Sequence, residues 1–105
     1  MKVIVTALLF IGLIIVSCKK NKNNITPTCD GSSPTYESFV QDVISSNCTS
    51  CHSDMSTYSG LSTYLNDESF TKEVLANQTM PESGSLDAAT LNTLQCWVNN
   101  GFPEN

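Results

Sequence analysis

The first strong pattern of apolar and polar positions begins at residue 35. Between residues 35 and 47 the apolar side chains recur every three or four positions, which is the spacing of one face of an amphipathic helix. They are Tyr36, Phe39, Val40, Val43 and Ile44. The spacing predicts a helix that runs directly into the cysteine at position 48.

The same spacing recurs further along the chain. Residues 67–77, DESFTKEVLAN, place three apolar side chains on one side of a predicted helix: Phe70, Val74 and Leu75. Residues 78–85, QTMPESGS, contain Pro81 and Gly84, which are typical of loops. A second helix followed by a loop is therefore predicted.

The last helix has the strongest signals. Its apolar stripe consists of Leu91, Leu94, Trp97 and Val98. Ser85 is the predicted N-cap, and Asp87 suits the first turn. Gly101 is the predicted C-terminal stop, with Pro103 just beyond it.

Residues 57–65, TYSGLSTYL, fit a turn or a short helix equally, and no segment has a convincing strand pattern. The predicted fold class is all-α, with about three helices around one centre.

The N-terminus has the features of a secretion signal. An apolar run over residues 3–16 follows Lys2 and is too short to span a bilayer comfortably. A short membrane anchor or a buried helix is the alternative. The run ends in IVSC, which resembles the lipobox of bacterial lipoproteins, and this resemblance makes Cys18 the lipidated first residue of the mature chain.

This reading divides the chain into three parts. Residues 1–17 are a lipoprotein signal peptide. Residues 18–33 are the lipidated N-terminus and a flexible linker, because Asn, Lys, Ser, Thr and Pro dominate them and offer little to bury. Residues 34–105 form one small domain, which at this size is expected to need a disulfide, a metal or a large cofactor for stability.

The charge of the chain excludes nucleic acids as partners. The chain has five lysines, no arginine and ten acidic residues, and from Cys29 onward a single lysine faces all ten acids, a net charge of −9. Such a domain cannot hold a nucleic-acid backbone. Either the acidic surface only keeps the protein soluble, or it attracts a basic partner.

Candidate chemistry is concentrated in CTSCH, residues 48–52. Cys48, Cys51 and His52 form the Cys-x-x-Cys-His signature of c-type haem attachment. Its two thiols form thioethers with the porphyrin, and its imidazole coordinates iron as the proximal ligand. A zinc site, a redox-active dithiol and two ordinary structural cysteines are the alternatives. Zinc would want a fourth ligand, usually from a second close pair, and no βαβ pattern supports a thioredoxin-like dithiol.

A haem iron leaves few candidates for its distal ligand. His52 is the only histidine, so a second imidazole from this chain is excluded. Met1 leaves with the signal peptide, and Met55 is tethered three residues after His52 on the proximal side. Met80, next to Pro81 in a loop, is therefore the predicted distal ligand, because His/Met is a standard cytochrome c pair that raises the potential. An iron with an open or water-bound site is the alternative.

Two cysteines remain after lipid and haem are accounted for. Cys29 and Cys96 are predicted to form a disulfide, which suits an exported chain and would fasten the start of the domain to the last helix. Two free thiols are the alternative.

The CTSCH motif and the downstream Met80-Pro81 resemble those of class I cytochrome c domains, and more closely those of small monohaem cytochrome lipoproteins of Gram-negative bacteria. The resemblance covers roughly residues 35–105, and its supporting elements are Gly84, Leu86, Trp97, Gly101 and Pro103. It implies a small helical domain wrapped around one covalent haem c. It also implies that Phe39 or Tyr36 packs against Trp97, whose role is then structural.

One feature departs from the class I pattern. Many such domains have a proline after the haem motif whose carbonyl orients the axial histidine, but no proline lies between His52 and Met80. Another backbone carbonyl must then hold the imidazole, and those near Ser59 or Gly60 are the candidates.

The predicted function is that of a lipid-anchored monohaem cytochrome c in the bacterial cell envelope, facing the periplasm or associated with the outer membrane. It would carry single electrons between redox proteins with basic patches, and it would not be an enzyme. An open-site haem subunit of an enzyme or gas-binding protein is one alternative, and a zinc-stapled binding module is another.

Overall fold

The computed structural model describes residues 25–105, and this part of the chain is all-α, as predicted. A π-helical turn, Tyr36–Val40, continues into helix α1, Gln41–Asn47. A 3₁₀ turn, Ser53–Ser56, precedes α2, Tyr58–Asn66, and a π-helical segment, Thr71–Ala76, precedes α3, Ala88–Asn99. No strand occurs between residues 25 and 105.

The predicted signal peptide over residues 1–17 and the lipidated Cys18 lie outside the described residues. Within residues 25–105, no helix has the length and the apolar character needed to cross a bilayer.

The first helical unit begins where two hydroxyl side chains satisfy free backbone groups. Thr35 Oγ1 accepts a hydrogen bond from the Ser38 N–H at 3.1 Å, and Ser38 Oγ accepts one from the Thr35 N–H at 2.9 Å. This reciprocal capping box fixes the start of the helix. From there the helix runs to Asn47, directly before Cys48, as its apolar spacing predicts.

Residues 57–65, which fit a turn or a short helix equally from sequence, are largely helical and belong to α2. Thr57 caps α2 by accepting a hydrogen bond from the Gly60 N–H at 3.1 Å, and Leu61 and Leu65 are buried. The helix packs closely on the 3₁₀ turn, because a Cβ at Gly60 would overlap the backbone carbonyl of Asp54. Only glycine permits this approach.

The last helix begins later than predicted. Asp87, not Ser85, is its N-cap, and its side chain accepts a hydrogen bond from the Thr90 N–H at 2.7 Å. The reason is the apolar residue that precedes the cap: Leu86 is half-buried against the core cluster that includes Leu91, the arrangement of a hydrophobic staple.

The predicted stop at Gly101 is confirmed. Gly101 has a φ of +83°, its N–H donates to the Val98 carbonyl at 3.0 Å, and the Phe102 N–H donates to the Trp97 carbonyl at 2.8 Å. These two bonds form a Schellman motif, which uses a left-handed residue just after the helix.

Trp97 is fully buried at the centre of the aromatic packing, but with different neighbours from those expected. Its ring centroid lies 6.4 Å from that of Phe70 and 6.1 Å from that of Phe102, and Tyr36 pairs with Tyr58 instead. The carbonyl of Pro103 bridges the two ends of the fold, since it accepts 2.9 Å hydrogen bonds from the Tyr36 N–H and from Trp97 Nε1. The C-terminal residues therefore mediate the contact between the first and last helices.

A disulfide joins Cys29 to Cys96, with the two Cα atoms 4.5 Å apart. It fastens the segment before the first helix to α3. We call residues 25–30 the N-terminal strap. Besides the disulfide, the Thr28 N–H donates to Asn92 Oδ1 on α3 at 2.9 Å.

Candidate functional site

A cavity of about 610 Å³ brings the predicted ligands together. Its walls include Cys48, Cys51, His52 and Met80. Its apolar lining also includes Pro81 and three core side chains: Met55, Phe70 and Val74. Pockets for small molecules and cofactors are typically concave, mostly apolar and about 300–1,000 Å³ in volume, so the cavity is suited to a large apolar group.

The cysteine motif is folded as one tight turn. The Cys48 carbonyl accepts hydrogen bonds from both the Cys51 N–H at 3.2 Å and the His52 N–H at 2.8 Å, while the Cys48 N–H continues α1 by donating to Ile44. Cys48 is half-buried and Cys51 is exposed, and neither forms a disulfide. Burial raises the pKa of the Cys48 thiol.

The motif is not assembled as a compact metal site. Within residues 25–105, the metal-ligating atoms that approach one another within 4.8 Å as a group of three belong to Cys29, Asp30 and Cys96, and two of these are the disulfide sulfurs. The disulfide also removes Cys29 and Cys96 as a fourth ligand for zinc at the motif. A porphyrin makes a different demand, because its thioethers form at the ring edge while the imidazole binds at the ring centre.

Tyr64 is a cavity residue that the sequence interpretation did not identify. Its ring lies edge-on to His52, with centroids 6.0 Å apart and planes at 77°. The Tyr64 hydroxyl donates to Asp54 Oδ2 at 2.7 Å, and this hydrogen bond is the main cause of a raised Tyr64 pKa. Its helical spacing from Leu61 is a signal that could identify it, but residues 57–65 fit a turn or a short helix equally from sequence.

The expected carbonyl partner of His52 is not found at Ser59 or Gly60. Both residues belong to α2, and the side-chain hydrogen bonds of the described residues include none from the His52 ring to either carbonyl. Packing against Tyr64, itself held by Asp54, restrains the ring instead.

Met80 reaches the cavity from a loop that is fastened at its base. The Glu73 carbonyl accepts hydrogen bonds from the Thr79 N–H at 2.8 Å and the Met80 N–H at 3.2 Å. The Thr79 hydroxyl also hydrogen-bonds the Glu73 carboxylate. Met80 is half-buried, whereas Met55 is buried in the core with 7% of its surface exposed. Met80 is thus the more accessible thioether.

Apart from the His52 imidazole, the polar part of the cavity lining has no basic side chain. Hydroxyls, an amide and two carboxylates contribute, from Asn47, Ser50, Tyr64, Ser69, Ser83, Glu73 and Glu82. The single lysine of residues 25–105, Lys72, is exposed and is not part of the lining.

Comparison with protein-family models, with curated proteins and with solved structures finds no match to this chain. The resemblance to class I cytochromes c therefore rests on the CTSCH motif and on Met80-Pro81. The cavity adds an independent geometric observation, because all four of the expected haem-holding residues line it.

Proposed function

We propose that this protein is a small monohaem c-type cytochrome, anchored by lipid in the bacterial envelope, that passes single electrons between redox partners. The observation that carries the proposal is the cavity of about 610 Å³ lined by Cys48, Cys51, His52 and Met80. Two thiols, one imidazole and one thioether around an apolar space are the groups that a c-type haem requires.

The residues present fit one haem c. Cys48 and Cys51 would attach it through thioethers, His52 would be the proximal ligand and Met80 the distal one. When bound, the iron supplies reversible one-electron chemistry, and thioether ligation favours its reduced form. The chain itself would present the two axial side chains, surround the group with its apolar lining and pack the His52 ring against Tyr64.

Two features of the lining would shift the reduction potential of the proposed site in opposite directions. The Met80 thioether raises the potential, whereas the carboxylates of Glu73 and Glu82 stabilise positive charge and so favour the oxidised iron. Hydroxyl and amide groups of the lining would be able to donate hydrogen bonds to the haem propionates, and no lysine or arginine lines the cavity. The lining therefore supports a lower potential than a similar site with a basic propionate partner.

Electron transfer suits the site better than substrate chemistry. The one histidine of the chain is committed to the motif, so no second imidazole is available as a general base. The lipid anchor at Cys18, the envelope location and the basic redox partners belong to the same proposal and follow from the IVSC sequence and the acidic composition of the domain.

Replacing each cavity methionine by leucine tests the distal assignment. Leucine is close to methionine in volume, so packing is conserved. In oxidised holoprotein from a host that attaches haem, we expect Met80→Leu to abolish the weak red sulfur-to-iron absorption band. The matched variant Met55→Leu should retain it. An unchanged band in Met80→Leu, together with its loss in Met55→Leu, would identify Met55 as the distal ligand.

A wild-type spectrum of high-spin iron that shifts with carbon monoxide or cyanide would instead favour the open-site alternative. In that case the chain binds haem without Met80, and its function would be ligand binding.

A further inference from the structure

The buried polar side chain of the described residues is an amide beside the Met80 loop. Gln78 is 2% exposed. Its Nε2 donates to the Ile25 carbonyl at 2.5 Å and lies 3.4 Å from the Leu75 carbonyl. A buried amide without such partners would be costly, so Gln78 has a specific role in joining the strap to this loop.

The backbone at Gln78 needs that support. Its φ is +54°, a left-handed conformation that a residue other than glycine adopts at some cost. Directly afterwards, the N–H groups of Thr79 and Met80 turn back onto the Glu73 carbonyl. The conformation of Gln78 therefore sets the direction in which the chain leaves the π-helical segment and reaches Met80.

The strap, which receives the Gln78 hydrogen bond at Ile25, is covalently attached to α3. Ile25 belongs to the N-terminal strap, which the Cys29–Cys96 disulfide and the Thr28 N–H to Asn92 hydrogen bond hold against α3. The carbonyl that accepts the Gln78 hydrogen bond thus lies four residues before Cys29, which is cross-linked to α3. A loose terminal segment could not restrain a loop in this way, because ordering it would cost entropy.

We infer that Gln78 is the positioning residue for Met80, and that it acts by tying the Met80 loop to the disulfide-fastened strap. The inference rests on the proposed function, since it concerns the distal ligand of the haem. It adds that the strap is part of the site, although none of its residues lines the cavity.

The test compares two asparagine substitutions in full-length holoprotein. Gln78→Asn keeps an amide that tolerates a left-handed backbone but is one methylene too short to reach Ile25. Gln41→Asn is the matched control at an exposed position of α1. The readouts are the imidazole concentration that displaces Met80 from the oxidised iron and the hydrogen-exchange rates of the Thr79 and Met80 amides.

We expect Gln78→Asn to lower the displacing imidazole concentration about tenfold, as expected for loss of one buried hydrogen bond. Exchange at Thr79 and Met80 should become faster by a similar factor, while α3 amides exchange as in the wild type. Gln41→Asn should leave both readouts unchanged. Wild-type displacement in Gln78→Asn, or an increase in exchange across the whole domain, would overturn the positioning role.

A disulfide-free variant provides the second test. Cys29→Ser with Cys96→Ser should shift displacement in the same direction. When Gln78→Asn is added to it, the effects should be less than additive, because both changes break one connected link. Full additivity would show that Gln78 does not act through the strap.

Failure of the two proposals can be distinguished. Covalent haem with a methionine band that imidazole displaces at the same concentration in Gln78→Asn as in the wild type refutes only the positioning role. A chain that takes up no haem refutes the proposed function and the positioning role together.

Discussion

Gly60 shows how closely the backbone is packed next to the 3₁₀ turn that follows the CTSCH motif. A side chain at this position would overlap the Asp54 carbonyl, and Asp54 in turn accepts the hydrogen bond of Tyr64. The close approach therefore supports the group that packs against His52. It also shows that a glycine within a helical pattern can be required for tertiary contact.

Alanine at Gly60 should destabilise the protein. Replacing an interior helical glycine with alanine usually raises the free energy of unfolding by about 0.5–1 kcal/mol. Here the overlap with a backbone atom should lower it by about 1–3 kcal/mol net. Urea unfolding of the full chain measures the difference. Ser59→Ala, at the exposed neighbouring position, should change stability by less than about 0.5 kcal/mol. A stabilised Gly60→Ala protein would contradict the close packing.

At this scale the sequence indicates candidate chemical groups more readily than the residues that would hold them in place. Cys48, Cys51, His52 and Met80 carry distinctive atoms and a motif spacing, so they could be selected. Tyr64 and Gln78 could not, because their roles depend on partners 10 and 53 residues away. No local pattern encodes those contacts.

Helix α3 illustrates what determines an element and its ends. Its apolar stripe and its Gly101 stop were predictable, since both are local patterns. Its start was not, because Ser85 and Asp87 are both good N-caps and the choice depends on where Leu86 meets the core. The middle helix α2 was undecided for a similar reason: its apolar side chains are few, and the contact with the 3₁₀ turn helps to fix it.

The Asp87 cap makes the stability of α3 depend on pH. Hydrogen bonds from the Thr90 backbone and side chain lower the pKa of Asp87 in the folded state. The group therefore stabilises the fold above its unfolded pKa of about 3.9, and this contribution is lost as the pH falls through the folded pKa.

Asparagine at position 87 should remove this dependence while keeping a cap. We expect Asp87→Asn to lose less stability than the wild type as the pH falls below about 3.9, the pKa of the unfolded state, because the folded pKa is lower still. Thermal unfolding across this range measures the difference. Asp42→Asn, at an exposed position of α1, is the control. Equal slopes for Asp87→Asn and wild type would contradict the role of the carboxylate.

Residues 25–105 combine a strongly acidic composition with a strap that is fastened to α3. From Cys29 onward ten acids face one lysine, which was evident from composition. The strap contacts were not, because residues 25–30 have the composition of a linker and only the cysteine at position 29 marked a link. Counting the thiols predicts that Cys29 pairs with Cys96, whereas the hydrogen bonds that accompany the disulfide depend on the fold.

The acidic surface should govern electron exchange with small charged reagents. We expect reduced holoprotein to react faster with a cationic cobalt or ruthenium ammine oxidant than with an anionic iron cyanide oxidant, after correction for driving force. Rising ionic strength should slow the cationic reaction by about tenfold and accelerate the anionic one, because salt screens exposed charges. Stopped-flow rates measure both. Rates that salt leaves unchanged would show that the acidic surface only solvates the protein.

Covalent haem attachment is the central claim, and the intact mass of the full chain made in a haem-attaching host tests it most directly. We predict a mass increase of one haem that survives acidified acetone extraction, together with a Soret band. The Cys48→Ser, Cys51→Ser double variant should lose its haem in the same extraction. A wild-type chain without haem, or one carrying stoichiometric zinc instead, would contradict the account.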